Sequence, residues 1–371
     1  MKQRYHFLDN IRWATVLLVV LYHVFYNFNS LGIFGAVGGF AEHQPQDLLC
    51  TLLHPWFMTL LFVVAGASSR YALRSRTPLE FRRERTRKLL VPSTLGLLVG
   101  GWILGQLNMR AAGAWQQMPA ELPFLVRHLI ASVSGTGPLW FLHDLFIFSL
   151  LLLALRKMAG GGRVEEWLME AKEWAVWLAL VGCGIFLWAA AQTHLDSPSA
   201  AGGLINLYRP IYYFGAFLVG YYLLSAERVH SVLKERARVL VALATVAAVA
   251  FGVWCYGEDY TSPALVQSVG YNLYVWIVVM AAVGGFARWA DRKGPIAEYL
   301  SQSSFGIYVV HMTICTAACL WLKESSLPVW SIYLVVLAVT AAGSFVAYEL
   351  LRRVPVVRYC LFGIRSTKRS R

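Results

Sequence analysis

Four ionisable side chains stand inside strongly apolar stretches of the sequence, namely His23, His143, Asp144 and His311. Burying such a side chain in an apolar helix costs free energy. An ionisable residue there therefore either has a function or forms hydrogen bonds with a neighbouring helix. A neutral imidazole is a good general base and also a nucleophile, and a carboxylate can bind or orient a polar substrate. These residue types indicate proton or group transfer, with interhelical packing as the alternative for each.

The strongest pattern joins Arg12 to His23, eleven residues later. At 100° per residue the two side chains are only ~20° apart around a helix, with His23 ~16 Å further along the axis. Asp9 lies one turn before Arg12, where it can orient the guanidinium, and Asn27 continues the same polar face. The spacing predicts a base at mid-membrane and a cation near the surface. A histidine that only packs between helices would fit the same spacing.

A second polar stripe runs through a later apolar stretch and comprises Ser304, Tyr308, His311 and Cys315. The spacings of four, three and four place these side chains on one helix face. If this helix begins at residue 303, His311 lies ~12 Å from its start, at a depth similar to that of His23. We therefore expect the two histidines to meet, although such stripes also hold helices together through hydrogen bonds.

Residues 70 to 88 contain eight basic residues, and five of them lead directly into an apolar stretch: Arg82, Arg83, Arg85, Arg87 and Lys88. Arginine pairs well with phosphate oxygens, so this segment predicts a site for a phosphate-bearing ligand. Basic residues also accumulate in cytoplasmic loops and bind anionic lipid headgroups, and both remain alternatives for part of the segment.

The composition places these groups in a membrane protein. Of the 371 residues, 58% are hydrophobic and 14% are charged, whereas soluble domains carry about 25% charged residues. The net charge of +13 would suggest nucleic acid in a soluble chain, but the apolar composition excludes that class and we expect no nucleic-acid partner. Membrane lipids are the expected surroundings.

Ten apolar stretches are long enough for transmembrane helices. They cover residues 13 to 29, 52 to 69, 89 to 107, 138 to 155, 174 to 191, 210 to 225, 239 to 256, 269 to 287, 303 to 322 and 329 to 348. The alternation typical of barrel strands is absent, so the predicted fold is an all-α polytopic bundle.

The basic residues predict the orientation of this bundle. With the N-terminus inside, 29 of the 33 Lys and Arg residues fall on the cytoplasmic side, as the positive-inside rule requires. Both termini are then cytoplasmic. The longest connection, residues 109 to 137, is predicted as an outer loop. We expect residues 1 to 371 to form one transmembrane domain without a separate soluble domain.

Several segments together resemble the membrane-bound acyltransferase 3 family. The opening FLDNIRWATVLLVVLYHVFYN carries the family signature of a basic residue, ten residues and His, here Arg12 and His23 with Asp9 in its usual context. The segments FVVAGASSRYAL, LLVPSTLG, PLWFLHDLFIFSLLL, SSFGIYVVHMTI and YELLRRVPVVRYCLFG agree with it. The last of these and PLWFL are most similar to the glucan O-succinyltransferase-like branch. Many relatives have Ser before Gly66, where this chain has Ala65.

The resemblance implies an O-acyltransferase of the bacterial inner membrane. Its donor would be a cytoplasmic acyl-CoA, with an acetyl or succinyl-like group, and its acceptor a hydroxyl of an envelope carbohydrate or another molecule, with no metal expected. His23 would act as general base or accept the acyl group itself, and Arg12 would bind phosphate or polarise the thioester. His311 and Tyr308 would position the acceptor or stabilise the oxyanion. Further candidates for substrate binding are Asp9, Asn27, His143, Asp144 and the five basic residues from Arg82 to Lys88.

Two other classes of protein fit parts of the sequence. A proton-coupled secondary transporter also places His and Asp inside ten helices, but no inverted repeat is evident here. A membrane anchor without catalysis would tolerate the loss of His23. The release of free CoA from acyl-CoA distinguishes the enzyme from both.

Overall fold

The computed structural model describes residues 5–32, 36–119, 121–159, 163–193 and 207–365, and within these ranges the regular structure is helical and no strand occurs. The helices, in chain order, are α1 His6–Asn27, α2 Asp47–Leu73, α3 Pro78–Ala111, α4 Phe124–Ser134, α5 Trp140–Ala159, α6 Arg163–Glu170, α7 Glu173–Ala191, α8 Pro210–Tyr222, α9 Glu227–Glu235, α10 Ala237–Trp254, α11 Pro263–Gln267, α12 Val269–Trp289, α13 Pro295–Leu322, α14 Val329–Leu351 and α15 Pro355–Phe362.

Nine helices in the described ranges are long and apolar enough to cross a membrane: α1, α2, α3, α5, α7, α10, α12, α13 and α14. The prediction of an all-α polytopic membrane bundle is therefore confirmed. The tenth predicted span, 210 to 225, corresponds to α8, which has 13 residues and covers ~20 Å instead of the ~30 Å of hydrocarbon. The predicted orientation of the termini remains a prediction, and Lys2 and Arg4, which contribute to it, lie outside the described residues.

Close backbone packing attaches the short α8 to α2. A Cβ atom on Gly66 would overlap the carbonyl oxygen of Phe217, and one on Gly220 would overlap that of Val63. Further along both helices the Tyr71 hydroxyl donates to Ser225 O at 2.8 Å. The sequence separation between the contacting residues hardly changes along the pair, so the two helices run in the same direction.

Helices α1 and α13 also lie parallel and hold the centre of the bundle. Arg12 meets Ser301, and Asn27 meets Thr316, with the same separation in sequence of 289 residues. The apolar stretch predicted at residues 303 to 322 is only part of this helix, because α13 already begins at Pro295. Hydropathy detects only the apolar part of a helix, whereas Pro295 marks its true first turn. His311 therefore lies ~24 Å from the start of its helix and ~12 Å from the start of the apolar stretch.

The predicted outer loop of residues 109 to 137 contains a further helix, α4, which turns back along α3. A Cβ atom on Gly105 would overlap Ala131 O, and one on Gly135 would overlap Gly101 O, so glycine permits this close approach. A short turn at residues 135–139 then leads into α5. Its Pro138 carbonyl accepts a hydrogen bond from the Tyr308 hydroxyl of α13. Irregular backbone at membrane depth is tolerated where protein buries it in this way.

The N-terminal segment packs on a buried histidine of α9. The rings of Tyr5 and Phe7 meet the His230 ring edge-on at 5.3 and 5.0 Å, and His230 Nε2 donates to Leu224 O at 2.5 Å. Burial lowers the pKa of His230 to about 4. The folded protein therefore holds this imidazole neutral at pH values where an unfolded chain protonates it.

We expect the substitution Gly66→Ala to destabilise the fold by ~1–3 kcal/mol or more, because the added methyl meets backbone that cannot rotate away. Thermal unfolding in detergent measures the loss. Gly182→Ala is the matched control, since nothing lies within 4 Å of a Cβ added to Gly182. Equal unfolding temperatures for the two variants would contradict the close packing of α2 on α8.

We expect the free energy of unfolding to fall as the pH drops from about 6.5 to about 4. In this range His230 binds a proton in the unfolded chain but stays neutral in the folded protein. The lowered pKa of about 4 corresponds to as much as ~3 kcal/mol, fully lost below that pH. Unfolding midpoints at pH 7, 6 and 5 measure the effect. The variant His230→Phe should show a shallower decline over this range, and an unchanged slope would exclude His230 as its source.

Candidate active site

The two predicted histidines meet between α1 and α13. His311 Nε2 lies 3.1 Å from His23 Nδ1, and the ring centroids are 4.9 Å apart. Each imidazole is also bound to its own helix, His23 Nδ1 to Val19 O at 2.8 Å and His311 Nδ1 to Tyr308 O at 2.7 Å.

These contacts assign the tautomers. Carbonyl oxygens only accept hydrogen bonds, so both Nδ1 atoms carry the hydrogen. The Nδ1–H of His23 is then shared between Val19 O and His311 Nε2, which accepts it. His23 Nε2 keeps a lone pair, the feature that a general base or a nucleophile needs.

Aromatic rings surround the histidine pair. Tyr22 and Tyr26 lie edge-on to the His23 ring at 5.2 and 5.7 Å, and Phe141 contacts Tyr308 at 5.9 Å. His311 is fully buried, whereas His23 and Tyr26 keep part of their surface accessible. Of the two imidazoles, His23 is therefore the one that a substrate can reach.

A second aromatic group continues from Phe141 along the start of α5. The rings of Phe141 and Trp140 meet edge-on at 6.4 Å, and Trp140 contacts Tyr208 at 5.0 Å. Trp140, Phe141 and Tyr208 are half-buried. Tyr208 immediately precedes Arg209, a buried residue with a left-handed backbone, φ 46°.

Asn27, predicted to bind substrate, is engaged within the protein. Its amide nitrogen donates to His23 O at 2.9 Å and to Cys315 Sγ at 3.5 Å, and its oxygen accepts from the Thr316 hydroxyl at 3.5 Å. Asn27 thus connects α1 to α13 one turn beyond the histidine pair.

Arg12 lies on the same side of α1 as His23, facing α13. Its guanidinium donates to Asp9 Oδ1 at 2.9 Å and to Ser301 Oγ at 3.2 Å, and its side chain is 42% exposed. Asp9 holds the guanidinium while leaving part of it open to a ligand. The helix rise separates Arg12 from His23 by ~16 Å along the axis.

The structure separates the five basic residues at the start of α3. Arg85 turns inward, where it donates to Ser69 Oγ at 3.0 Å and lies 4.7 Å above the Phe81 ring. Lys88 forms an ion pair with Glu84 at 2.7 Å. Arg82 and Arg83 are exposed, and Arg87 is half-buried.

Tyr308, His143 and Asp144 make defined contacts elsewhere in the protein. Tyr308 is buried and donates its hydroxyl proton to Pro138 O. His143 Nε2 lies 3.0 Å from Ser93 O, and Asp144 Oδ2 accepts from the backbone nitrogen of Tyr208 at 3.4 Å. Both residues of α5 thus connect it to neighbouring segments.

Within the described ranges, no three His, Cys, Asp or Glu side chains are grouped closely enough to hold a metal ion.

Ser69 and Ser301 were not identified from the sequence, although each binds an arginine of the site. Serine is common in membrane helices, so its type alone gives no signal. A helical projection would have placed Ser301 on the same face as Tyr308, seven residues or two turns before it. The contact between Ser69 and Arg85 depends on the turn between α2 and α3, which no periodicity encodes.

A comparison with protein families now adds to this geometry. The family model described as an acyltransferase domain matches residues 5–349, nearly the whole chain. No curated protein and no solved structure matches the chain. This match includes the helices that carry Arg12, His23 and His311, so the chain is a multi-pass membrane acyltransferase and belongs to the acyltransferase 3 family.

Proposed function

We propose that this protein transfers an acetyl or succinyl-like group from cytoplasmic acyl-CoA to a hydroxyl of an envelope carbohydrate, in the bacterial inner membrane. The observation that carries the proposal is the histidine pair, in which Val19 O and His311 Nε2 both accept from His23 Nδ1–H and so hold the tautomer of His23. The lone pair on His23 Nε2 is thereby available at a partly accessible position. The family match over residues 5–349 supports acyl transfer as the reaction class.

In the proposed reaction, His23 Nε2 takes the proton from the acceptor hydroxyl while the hydroxyl oxygen attacks the thioester carbonyl. The C–O bond forms and the C–S bond breaks. The proton on Nε2 then passes to the departing thiolate, which leaves as CoA thiol. While His23 is charged, its Nδ1–H donates to His311 Nε2 and to Val19 O, which stabilises the imidazolium. His311 is therefore a positioning residue.

Direct attack of His23 Nε2 on the thioester carbonyl would use the same lone pair, break the C–S bond and form an acyl-imidazolium, while CoA leaves as the thiolate that later takes the proton of the acceptor hydroxyl. The acceptor hydroxyl would then release the acyl group from the imidazole. Mass spectrometry of protein quenched in acid during turnover distinguishes the routes, because only the second adds the acyl mass to the peptide that contains His23.

The basic side of the bundle suits the acyl donor. CoA carries several phosphate charges, and Arg12 and Arg85 both present guanidinium groups near this side, each held by a serine hydroxyl. Arg82, Arg83, Arg87 and Lys88 add positive charge around them. The extended pantetheine arm of CoA can span the ~16 Å that separate Arg12 from His23 along α1.

The acceptor is proposed to enter from the opposite end of α1. Tyr26, Trp140 and Tyr208 keep part of their rings accessible. Sugar rings present apolar C–H faces that stack on such aromatic surfaces, so these side chains suit a carbohydrate. An entry path separate from the donor's keeps the two substrates from competing for one opening.

We expect His23→Ala to lower kcat by ~10²–10⁴ while the unfolding temperature stays near that of the wild type. Measured activity is the release of free CoA from acetyl-CoA or succinyl-CoA with gluco-oligosaccharide acceptors. His311→Leu should lose ~10–100-fold, and His311→Gln should recover part of this loss, because its amide oxygen can accept the Nδ1–H of His23. Activity of His23→Ala within tenfold of the wild type would exclude His23 as the base.

We expect Arg85→Gln to raise the KM for acyl-CoA by about tenfold or more, since a charge-assisted hydrogen bond contributes ~1.5–3 kcal/mol. Arg82→Gln is the matched control on the same helix, and its exposed side chain should change KM by less than about threefold. Equal effects from the two variants would show that the affinity for the donor depends on the total charge of this surface and not on the half-buried Arg85.

The whole proposal is tested with purified protein in vesicles. Acceptor-dependent CoA release, together with the acyl mass on the oligosaccharide, would support it. Substrate-dependent proton movement across the vesicle membrane without CoA release would instead establish a transporter.

A further inference from the structure

A long groove on the membrane-facing surface runs between α2, α10 and α12. It encloses about 570 Å³. Its lining includes Trp56 of α2, Ala244, Thr245 and Ala248 of α10, and Tyr274 and Trp289 of α12. Alanine and glycine residues on α10 and α12 leave its floor open, while larger rings stand at its two ends.

The polar side chains along this groove donate their hydrogen bonds to backbone carbonyls of the protein. Trp56 Nε1 and the Tyr274 hydroxyl both donate to Leu52 O at 2.8 Å, and the Thr245 hydroxyl donates to Val241 O at 3.0 Å. The donors of these three side chains are therefore used within the protein, and the lining offers mainly ring faces and methyl groups. Such a surface suits an alkyl chain and gives no means to recognise a polar ligand.

One end of the groove is basic. Arg238 precedes Val241 by three residues on α10 and therefore lies on the face that lines the groove. Arg288 lies next to Trp289, with its guanidinium carbon 5.9 Å from the indole ring, and donates to Lys234 O at 3.3 Å. Arg238, Arg288 and Lys234 are exposed.

Two acidic side chains also lie at this end, and both are engaged. Asp291 accepts from the Phe7 backbone nitrogen at 3.0 Å, and Glu235 accepts from the Ser231 hydroxyl at 3.4 Å. Three cations against these two anions give the end of the groove a net positive charge.

We propose that this groove binds one anionic phospholipid, with an acyl chain between α10 and α12 and the phosphate at Arg238 and Arg288. From Ala290 back to Tyr274 the groove follows α12 for ~24 Å. This exceeds the ~15 Å depth of one leaflet, so the groove accommodates a full chain. The charge at its end distinguishes an anionic headgroup from a zwitterionic one. The proposal is independent of acyl transfer.

Native mass spectrometry of the detergent-purified protein tests this inference with palmitoyl-oleoyl phosphatidylglycerol and the matching phosphatidylcholine. We expect one phosphatidylglycerol to be retained at least fivefold better than phosphatidylcholine. Arg238→Gln should reduce that preference about fivefold. Ala244→Trp, which fills the groove, should abolish retention of both lipids at this site.

Two substitutions serve as matched controls. Ala242→Trp adds the same ring at an exposed position of α10 outside the groove, and Arg353→Gln removes an exposed arginine at the end of α14. Both should retain phosphatidylglycerol like the wild type. If Ala244→Trp fails to fold, Ala248→Leu narrows the same groove with a smaller side chain. Equal retention of the two lipids by the wild type, or undiminished retention by the groove variants, would overturn the proposal.

Discussion

Hydrocarbon offers no hydrogen bonds, so each polar group inside this bundle must find its partner in the protein, and that requirement organises its centre. The contacts along the interface between α1 and α13 show the result. Arg12, His23 and Asn27 all face α13, where Ser301, His311 and Thr316 receive them. The same contacts that satisfy these groups also fix the histidine pair, so the packing of α1 on α13 and the proposed chemistry use one set of side chains.

Glycine makes the second contribution, because without a Cβ atom it lets the carbonyl oxygen of a neighbouring segment approach its backbone closely. Gly66 and Gly220 bring α2 against α8, and Gly105 and Gly135 bring α4 against α3. In membranes such close packing replaces the hydrophobic effect, which provides little force between helices already surrounded by lipid. Both short helices, α4 and α8, are held in this way beside longer ones.

The sequence predicted the helical class, the ten helical segments and the meeting of His23 with His311, since these follow from hydropathy and from helical spacing. It failed at helix boundaries and turns. The start of α13 at Pro295 was missed because its first residues are polar, and α4 was assigned to a loop because it spans only eleven residues. The pairing of Arg85 with Ser69 could not be predicted from the sequence, because it depends on how the turn between α2 and α3 orients the two helices.

The constant offset between α1 and α13 has a mechanical consequence. Three contacts spread over more than ten residues share sequence separations of 289, 288 and 289, so the two helices hold one register along this length. A sliding movement of α13 along α1 would shift Ser301 from Arg12 and His311 from His23 at the same moment. The basic end of the bundle and the imidazole pair are therefore coupled as one rigid unit, and strain applied at either end reaches the other without an intervening loop.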